Sequence, residues 1–268
     1  GANVLGYADP DVNAAVTHVV DSGNSSSLNS PEEVALAEAL CGLHPWADSA
    51  RFARSGGETM TIAVRIARAH TKKNKILFCG YHGWHDWYLA ANLGDQDALD
   101  GHLLPGLDPL GVPKQLKGTS FPFRFNDCAA LKSLVETHKD DLAAIILEPI
   151  RHQGPSSDFK TLLSDIQNNT GAVIIVDEIS AGFRLTCGGA HLTVGLTPDM
   201  AVFSKALGNG YPIGAVIGKK QIMTIAEQCF ISSTYWTERI GPAAALATIA
   251  KFKQHNVPEH LSTIGQLV

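Results

Sequence analysis

Lys205 stands in the run Ala201-Val-Phe-Ser-Lys-Ala-Leu-Gly-Asn-Gly-Tyr-Pro-Ile-Gly214, between a strand-like apolar stretch and a glycine-rich turn. In an α/β protein that junction is a strand end, where reactive groups meet a ligand. A lysine there packs poorly and is well placed to attack a carbonyl. Upstream, Val173-Ile-Ile-Val-Asp-Glu178 is a β-branched run ending in two carboxylates. An unpaired charge at Asp177 on a buried strand is costly, so it requires a cationic partner. A protonated pyridine nitrogen is one. The pair points to pyridoxal phosphate chemistry, with Lys205 forming the Schiff base and Asp177 keeping the ring nitrogen protonated.

Arg51-Phe-Ala-Arg-Ser-Gly-Gly-Glu-Thr59 passes from a short strand into a helix. Ser55 and Glu58 have the spacing of a capping box. Gly56 and Gly57 are each unfavourable in a helix interior by roughly 1 kcal/mol relative to alanine. What they offer is close approach, because bare amides at a helix N-terminus bind phosphate without a cationic side chain. Gly80-Tyr-His-Gly-Trp-His-Asp-Trp87 gathers aromatics in a turn after another strand. A flat cofactor ring would stack on Tyr81. His82 and His85 beside Asp86 would suit a metal instead, but no H-E-x-x-H or Cys/His motif accompanies them, so no metal site is expected. An aromatic corner packed at the sheet edge is the third reading. Glu148-Pro149 ends a further apolar strand, either facing a ligand or capping the next helix.

Other chemistries fail on spacing. Gly208-Asn-Gly-Tyr-Pro-Ile-Gly214 is not a dinucleotide fingerprint, since Ile213 stands where the third glycine belongs and the run leads into a strand. Neither a Walker loop nor a G-x-S-x-G elbow is present.

The elements that must position these groups are legible around them. Ser30-Pro-Glu-Glu33 combines a cap, a first-turn proline and a glutamate, and Val34, Ala37, Leu40 and Cys41 follow at helical spacing. Apolar runs recur at 75–79, 143–147, 172–176, 200–203 and 213–217, alternating with helical patterns such as Thr59 to Ala69 and Phe159 to Asn168. That alternation predicts an α/β fold, a mainly parallel sheet with helices on both faces. Residues 92–119 lack steady periodicity and read as a long ordered excursion over the surface.

Composition bounds the class. The 268 residues are 45% hydrophobic and 18% charged, enough for a sizeable core. A net charge of −5 leaves no electrostatic footprint for nucleic acid, so small-molecule partners are expected. Five scattered cysteines without a C-x-x-C pair indicate neither a disulfide framework nor a zinc knuckle, and a reducing cytoplasm is the expected compartment. No membrane span or signal peptide is read. The chain opens on Gly1 and closes on Gly265-Gln-Leu-Val268, and is read as a piece of a longer one.

Ser55-Gly-Gly-Glu, Tyr81-His-Gly, Glu148-Pro, Asp177-Glu and Lys205-Ala-Leu-Gly-Asn-Gly-Tyr-Pro, in that order, closely resemble class III aminotransferases of fold type I. The branch is similar to glutamate-1-semialdehyde aminomutase, and Asp177 to Arg184 looks nearest to that branch. The resemblance implies a helical lead-in over residues 1–45 and a large domain binding pyridoxal 5'-phosphate over residues 46–268. The family's small C-terminal domain is expected to be missing. Ser55, Gly56 and Gly57 would hold the phosphate, Tyr81 and Ile179 would take opposite faces of the ring, and His82 and Glu148 would lie beside the cofactor. Lys205 and Asp177 would be catalytic. A homodimer with a shared active site is implied, Thr234 of one subunit reaching the phosphate held by the other. The chain departs from the family after Thr234, where Glu238-Arg239 and Gly241-Pro242 replace an Asn-Pro step. Ser180 stands where many ω-amino-acid aminotransferases have glutamine.

The expected activity is an aminotransferase acting on small amino and carbonyl compounds. An aminomutase returning nitrogen to the same carbon skeleton is the alternative, as is a non-catalytic cofactor-binding or dimerisation fragment. A nucleotide-binding α/β domain is the fourth option.

Overall fold

The apolar runs assemble into one sheet in the computed structural model, which describes residues 1–102 and 105–267. Its strands are β1 (Ser49–Ala53), β2 (Lys75–Cys79), β3 (Ser120–Pro122), β4 (Leu142–Leu147), β5 (Val173–Asp177), β6 (Met200–Phe203) and β7 (Gly214–Gly218). They lie in the order β1-β7-β6-β5-β4-β2-β3. Neighbours from β6 to β3 pair in parallel, while β7 runs antiparallel to both β6 and β1. Every residue of β4, β5 and β6 is buried, which is why these segments read as continuous apolar runs rather than alternating ones.

The helices are α1 (Pro10–Asp21), α2 (Pro31–Leu43), α3 (Gly56–Thr71), α4 (Asp86–Leu89), α5 (Cys128–His138), α6 (Ser157–Thr170), α7 (His191–Val194), α8 (Lys220–Met223), α9 (Ile240–His255) and α10 (Val257–Leu267). Strand periodicity divides them between two faces. Ile146, Ile175, Val202 and Val216 face α3 through Met60, Ala63 and Ala67. Ile145, Ile174 and Val176 point the other way, onto Leu131 of α5 and Phe159 and Leu163 of α6. On that same side Phe203 and Ile217 meet Leu36 and Leu40 of α2 and Ile249 and Phe252 of α9. The doubly covered sheet is the architecture expected from the sequence.

Local signals explain the boundaries. Ser30 Oγ accepts from the Glu33 amide at 3.2 Å, as the cap predicts. α3 starts three residues before the periodic stretch because Ser55 Oγ accepts from the Glu58 amide at 3.4 Å. The Glu58 carboxylate returns to the Arg54 amide, at 2.8 Å, rather than to that of Ser55. The described part of the 92–119 excursion holds turns, the end of one 3-10 segment (Ala90–Leu93) and a second (Lys114–Leu116), and delivers the chain to β3. Among the described residues no helix is long and apolar enough to cross a membrane.

Candidate active site

Four strands deliver the site. β5 ends on Asp177, opposite Val202 of β6, and β6 ends two residues before Lys205. β1 leads through Ser55 into α3, and β2 leads through Gly80 into Tyr81. These ends bound a cleft of ≈ 200 Å³ lined by Gly56, Gly57, Tyr81, Asp177, Ile179 and Lys205. His82, Gly83, Trp84, Ser180 and Ser204 complete its wall.

Asp177 is 3% exposed, and its two oxygens are separately held. Oδ1 accepts from the Ile179 amide at 2.9 Å, and Oδ2 accepts from His82 Nδ1 at 2.7 Å. The other ring nitrogen of His82 lies 3.1 Å from the Cys79 carbonyl, so the imidazole is clamped at both ends. Lys205 has a φ of +41°, a conformation that a non-glycine residue keeps only where its surroundings impose it. Its Nζ donates to Ser180 Oγ at 2.6 Å.

The first turn of α3 leaves the Gly56 and Gly57 amides without intrahelical acceptors. A methyl group on Gly57 would sit 2.9 Å from His85 Nε2, and His85 is itself tied to Thr61 Oγ1 at 2.7 Å. Gly80, at a φ of +120°, turns the chain so that Tyr81 faces the cleft. Its amide donates to His102 Nδ1 at 3.2 Å, and its carbonyl accepts from the Tyr88 hydroxyl at 3.0 Å. Burial, reinforced by the Arg151 charge, pushes His102 down to about 4, which keeps Nδ1 bare for that contact.

Three expected site residues lie outside the lining. Ser55 is spent on capping α3. Glu148 sits behind Tyr81, with Oε2 3.4 Å from the Tyr81 amide and 3.5 Å from Arg151 Nε. Burial raises its carboxyl above the ordinary range, against the pull of His82 and Arg151. Thr234 is exposed on a loop that Arg54 fastens through the Tyr235 carbonyl and, at 3.0 Å, the Glu238 carboxylate.

A buried polar network next to Asp177 had no sequence signature. Glu178, 1% exposed, accepts from the Ala190 amide (2.9 Å), the His191 amide (2.8 Å) and His191 Nδ1 (2.7 Å). Trp46 Nε1 donates to His191 Nε2 at 3.0 Å, which fixes His191 as a neutral ring protonated on Nδ1. His44 Nδ1 donates to the Leu40 carbonyl at 2.7 Å, and its Nε2 accepts from the Gly189 amide at 2.9 Å. Burial pushes His44 down to about 4, consistent with that neutral tautomer. The network latches residues 189–191 to the end of β5, and so steadies the turn that carries Ile179 and Ser180.

The family model for class-III aminotransferases matches residues 1–268. The 3-aminobutyryl-CoA aminotransferase of Cloacimonas acidaminovorans is 32% identical over 274 residues, covering 99% of this chain and 62% of its own length. The glutamate-1-semialdehyde 2,1-aminomutase of Ignicoccus hospitalis is 35% identical over 277 residues, covering 100% and 64%. Among solved structures, the FumI protein of Sphingopyxis sp. MTA144 in its PLP internal aldimine form matches with a TM-score of 0.83 at 27% identity, over 95% of this chain and 59% of that one. The chain thus spans about three fifths of the length of these relatives.

Proposed function

Because the chain belongs to the class-III aminotransferases, we propose that it holds pyridoxal phosphate on Lys205 and transfers amino groups between small amino and carbonyl compounds. Its α/β domain of fold type I carries the site, and the residues present fit that cofactor. The cleft offers one amine, one buried carboxylate, two bare amides at a helix N-terminus, and an aromatic ring and an aliphatic side chain on its walls. The observation that carries the reading is Asp177, oriented on both oxygens and set within the same cleft as Lys205.

When bound, the cofactor's protonated ring supplies a sink for the electron pair left when a substrate carbon loses its proton. Asp177 would keep the ring nitrogen protonated, and His82, on its Oδ2, would hold the carboxylate in orientation. Tyr81 and Ile179 would contact the ring, and the Gly56 and Gly57 amides would bind the phosphate. Lys205 Nζ, which donates to Ser180 Oγ, would as a free amine take up the proton leaving the amine-bearing carbon. Borohydride reduction after incubation with pyridoxal phosphate should fix the label on Lys205. Peptide mapping that finds the label spread over Lys72 and Lys73, with Lys205 unmodified, would sink this reading.

The same residues serve an aminomutase, and the Ignicoccus relative bears that name. Incubation with one substrate separates the two: transamination stops after one cofactor equivalent without an acceptor, whereas an aminomutase continues. We place Thr234 at the phosphate of a partner subunit in a two-fold homodimer, since two amides leave phosphate oxygens unsatisfied and Thr234 is exposed away from its own cleft. Cofactor should then strengthen association, because a ligand held by two subunits favours the assembled state. Sedimentation should show this shift. A monomer binding cofactor with undiminished affinity would rule out the shared site.

A further inference from the structure

Of the two histidines that follow β2, His82 serves Asp177, whereas His85 lies outside the lining of the cleft. Its backbone begins α4, the carbonyl accepting from the Tyr88 and Leu89 amides at 2.9 and 3.2 Å. Its half-buried side chain takes no part in that cap and lies along α3 instead. Nδ1 is 2.7 Å from Thr61 Oγ1, while Nε2 stands 2.9 Å from the point that a Cβ on Gly57 would occupy. Residues 57 and 61 lie one above the other on the same helix face, so the imidazole spans that turn with Nε2 toward the helix start.

Two directions converge there. The ring's two N–H bonds diverge widely, so a proton on Nε2 is aimed away from Thr61 and toward the N-terminus of α3. A side chain on residue 57 would lean the same way, because Cα–Cβ bonds tilt toward the start of a helix. Nε2 therefore stands where such a side chain would reach an anion bound at the Gly56 and Gly57 amides. It has no hydrogen-bond partner among the described residues. The Thr61 hydroxyl donates to the Gly57 carbonyl at 3.0 Å, which makes Nδ1 the donor toward Oγ1 and leaves Nε2 for a second donation by the protonated ring. Glu58, the carboxylate of the same turn, reaches back to the Arg54 amide at 2.8 Å instead.

We propose that His85 is a further cofactor-binding residue, whose Nε2–H donates to the phosphate held by the Gly56 and Gly57 amides. It supplies the cationic side chain that a cradle of glycines lacks, through a charge-assisted hydrogen bond. The inference rests on the reading of the cleft as a pyridoxal phosphate site. It also accounts for Gly57, since a side chain at that position would take the place of the ring.

The test compares pyridoxal phosphate with pyridoxal, which lacks the phosphate, each titrated into the whole protein and followed by tryptophan fluorescence. His85→Asn keeps a donor for Thr61 but has nothing at the Nε2 position. It should weaken pyridoxal phosphate by about tenfold or more while leaving pyridoxal within about twofold. His85→Gln reaches the Nε2 position and gives up Thr61, so it should lose less than the asparagine variant. A residue that merely braced α3 through Thr61 would reverse that order, and the reverse order overturns the proposal. Should His85→Asn fail to fold, His85→Ala removes the same nitrogen and takes its place. Equal loss for both aldehydes, or loss for neither, overturns the role of His85 and leaves the cofactor reading intact. A parent that binds neither aldehyde overturns both.

Discussion

Asp177→Ala is expected to slow proton removal from a bound substrate by roughly 10²- to 10⁴-fold, the range for losing a group that controls proton transfer. In the role proposed for it, losing the carboxylate would cost the cofactor's ring nitrogen its proton and with it the capacity to stabilise negative charge. The change also orphans His82 Nδ1 and the Ile179 amide, whose acceptors are the two Asp177 oxygens. Asp177→Asn separates these effects. It keeps side-chain hydrogen-bonding capacity and most of the fold's stability but not the charge, so it should resemble the alanine variant in rate, while Asp177→Glu should retain more activity. Single-turnover measurement with a substrate deuterated at the amine-bearing carbon tests this on the whole protein. Deprotonation by the alanine variant at the parent rate would remove Asp177 from the mechanism.

The largest effect on stability is expected from Glu178→Ala, at least about 3 kcal/mol, since each buried donor left unsatisfied costs about 1–3 kcal/mol. Three buried donors, the amides of Ala190 and His191 and the His191 ring, lose their only recorded acceptor at once. Glu178→Gln keeps one oxygen and should lose less. Urea unfolding reads both, and a midpoint for the alanine variant within about 1 kcal/mol of the parent would show that the network is not a latch.

Most of this site follows from strand ends. Asp177 and Lys205 were legible because each closes an apolar run, and parallel strands gather such ends along one edge. Position along a strand does not give direction of approach, however. Glu148 also ends a strand, yet its side chain turns behind Tyr81 and beside Arg151. His82 read as a cofactor neighbour or a packed aromatic, with a metal role set aside, and its short contact with Asp177 spans 95 positions, a distance that no spacing rule reaches. The Glu178 network was hidden for the same reason, since Trp46 and His191 lie 145 residues apart. The antiparallel sense of β7 was likewise invisible, because Gly214-Ala-Val-Ile-Gly218 reads as the same apolar run in either orientation. β3 is only three residues long and ends in proline, too short for any period to show.

The edge pairing of β1 with β7 sets a timetable for the chain's synthesis. Ser49 must meet Gly218, and among the described residues β1 has no other partner in the sheet. At roughly 5–20 residues per second, a ribosome needs on the order of 10–30 s to make the intervening chain. Throughout that interval β1 has no strand to pair with, and Phe52 and Ala53, buried in the finished fold, lack their cover from β7. The nascent protein therefore carries an unsatisfied strand long after the ends of β2 and β4 have emerged, and that strand is the segment a chaperone would need to shield.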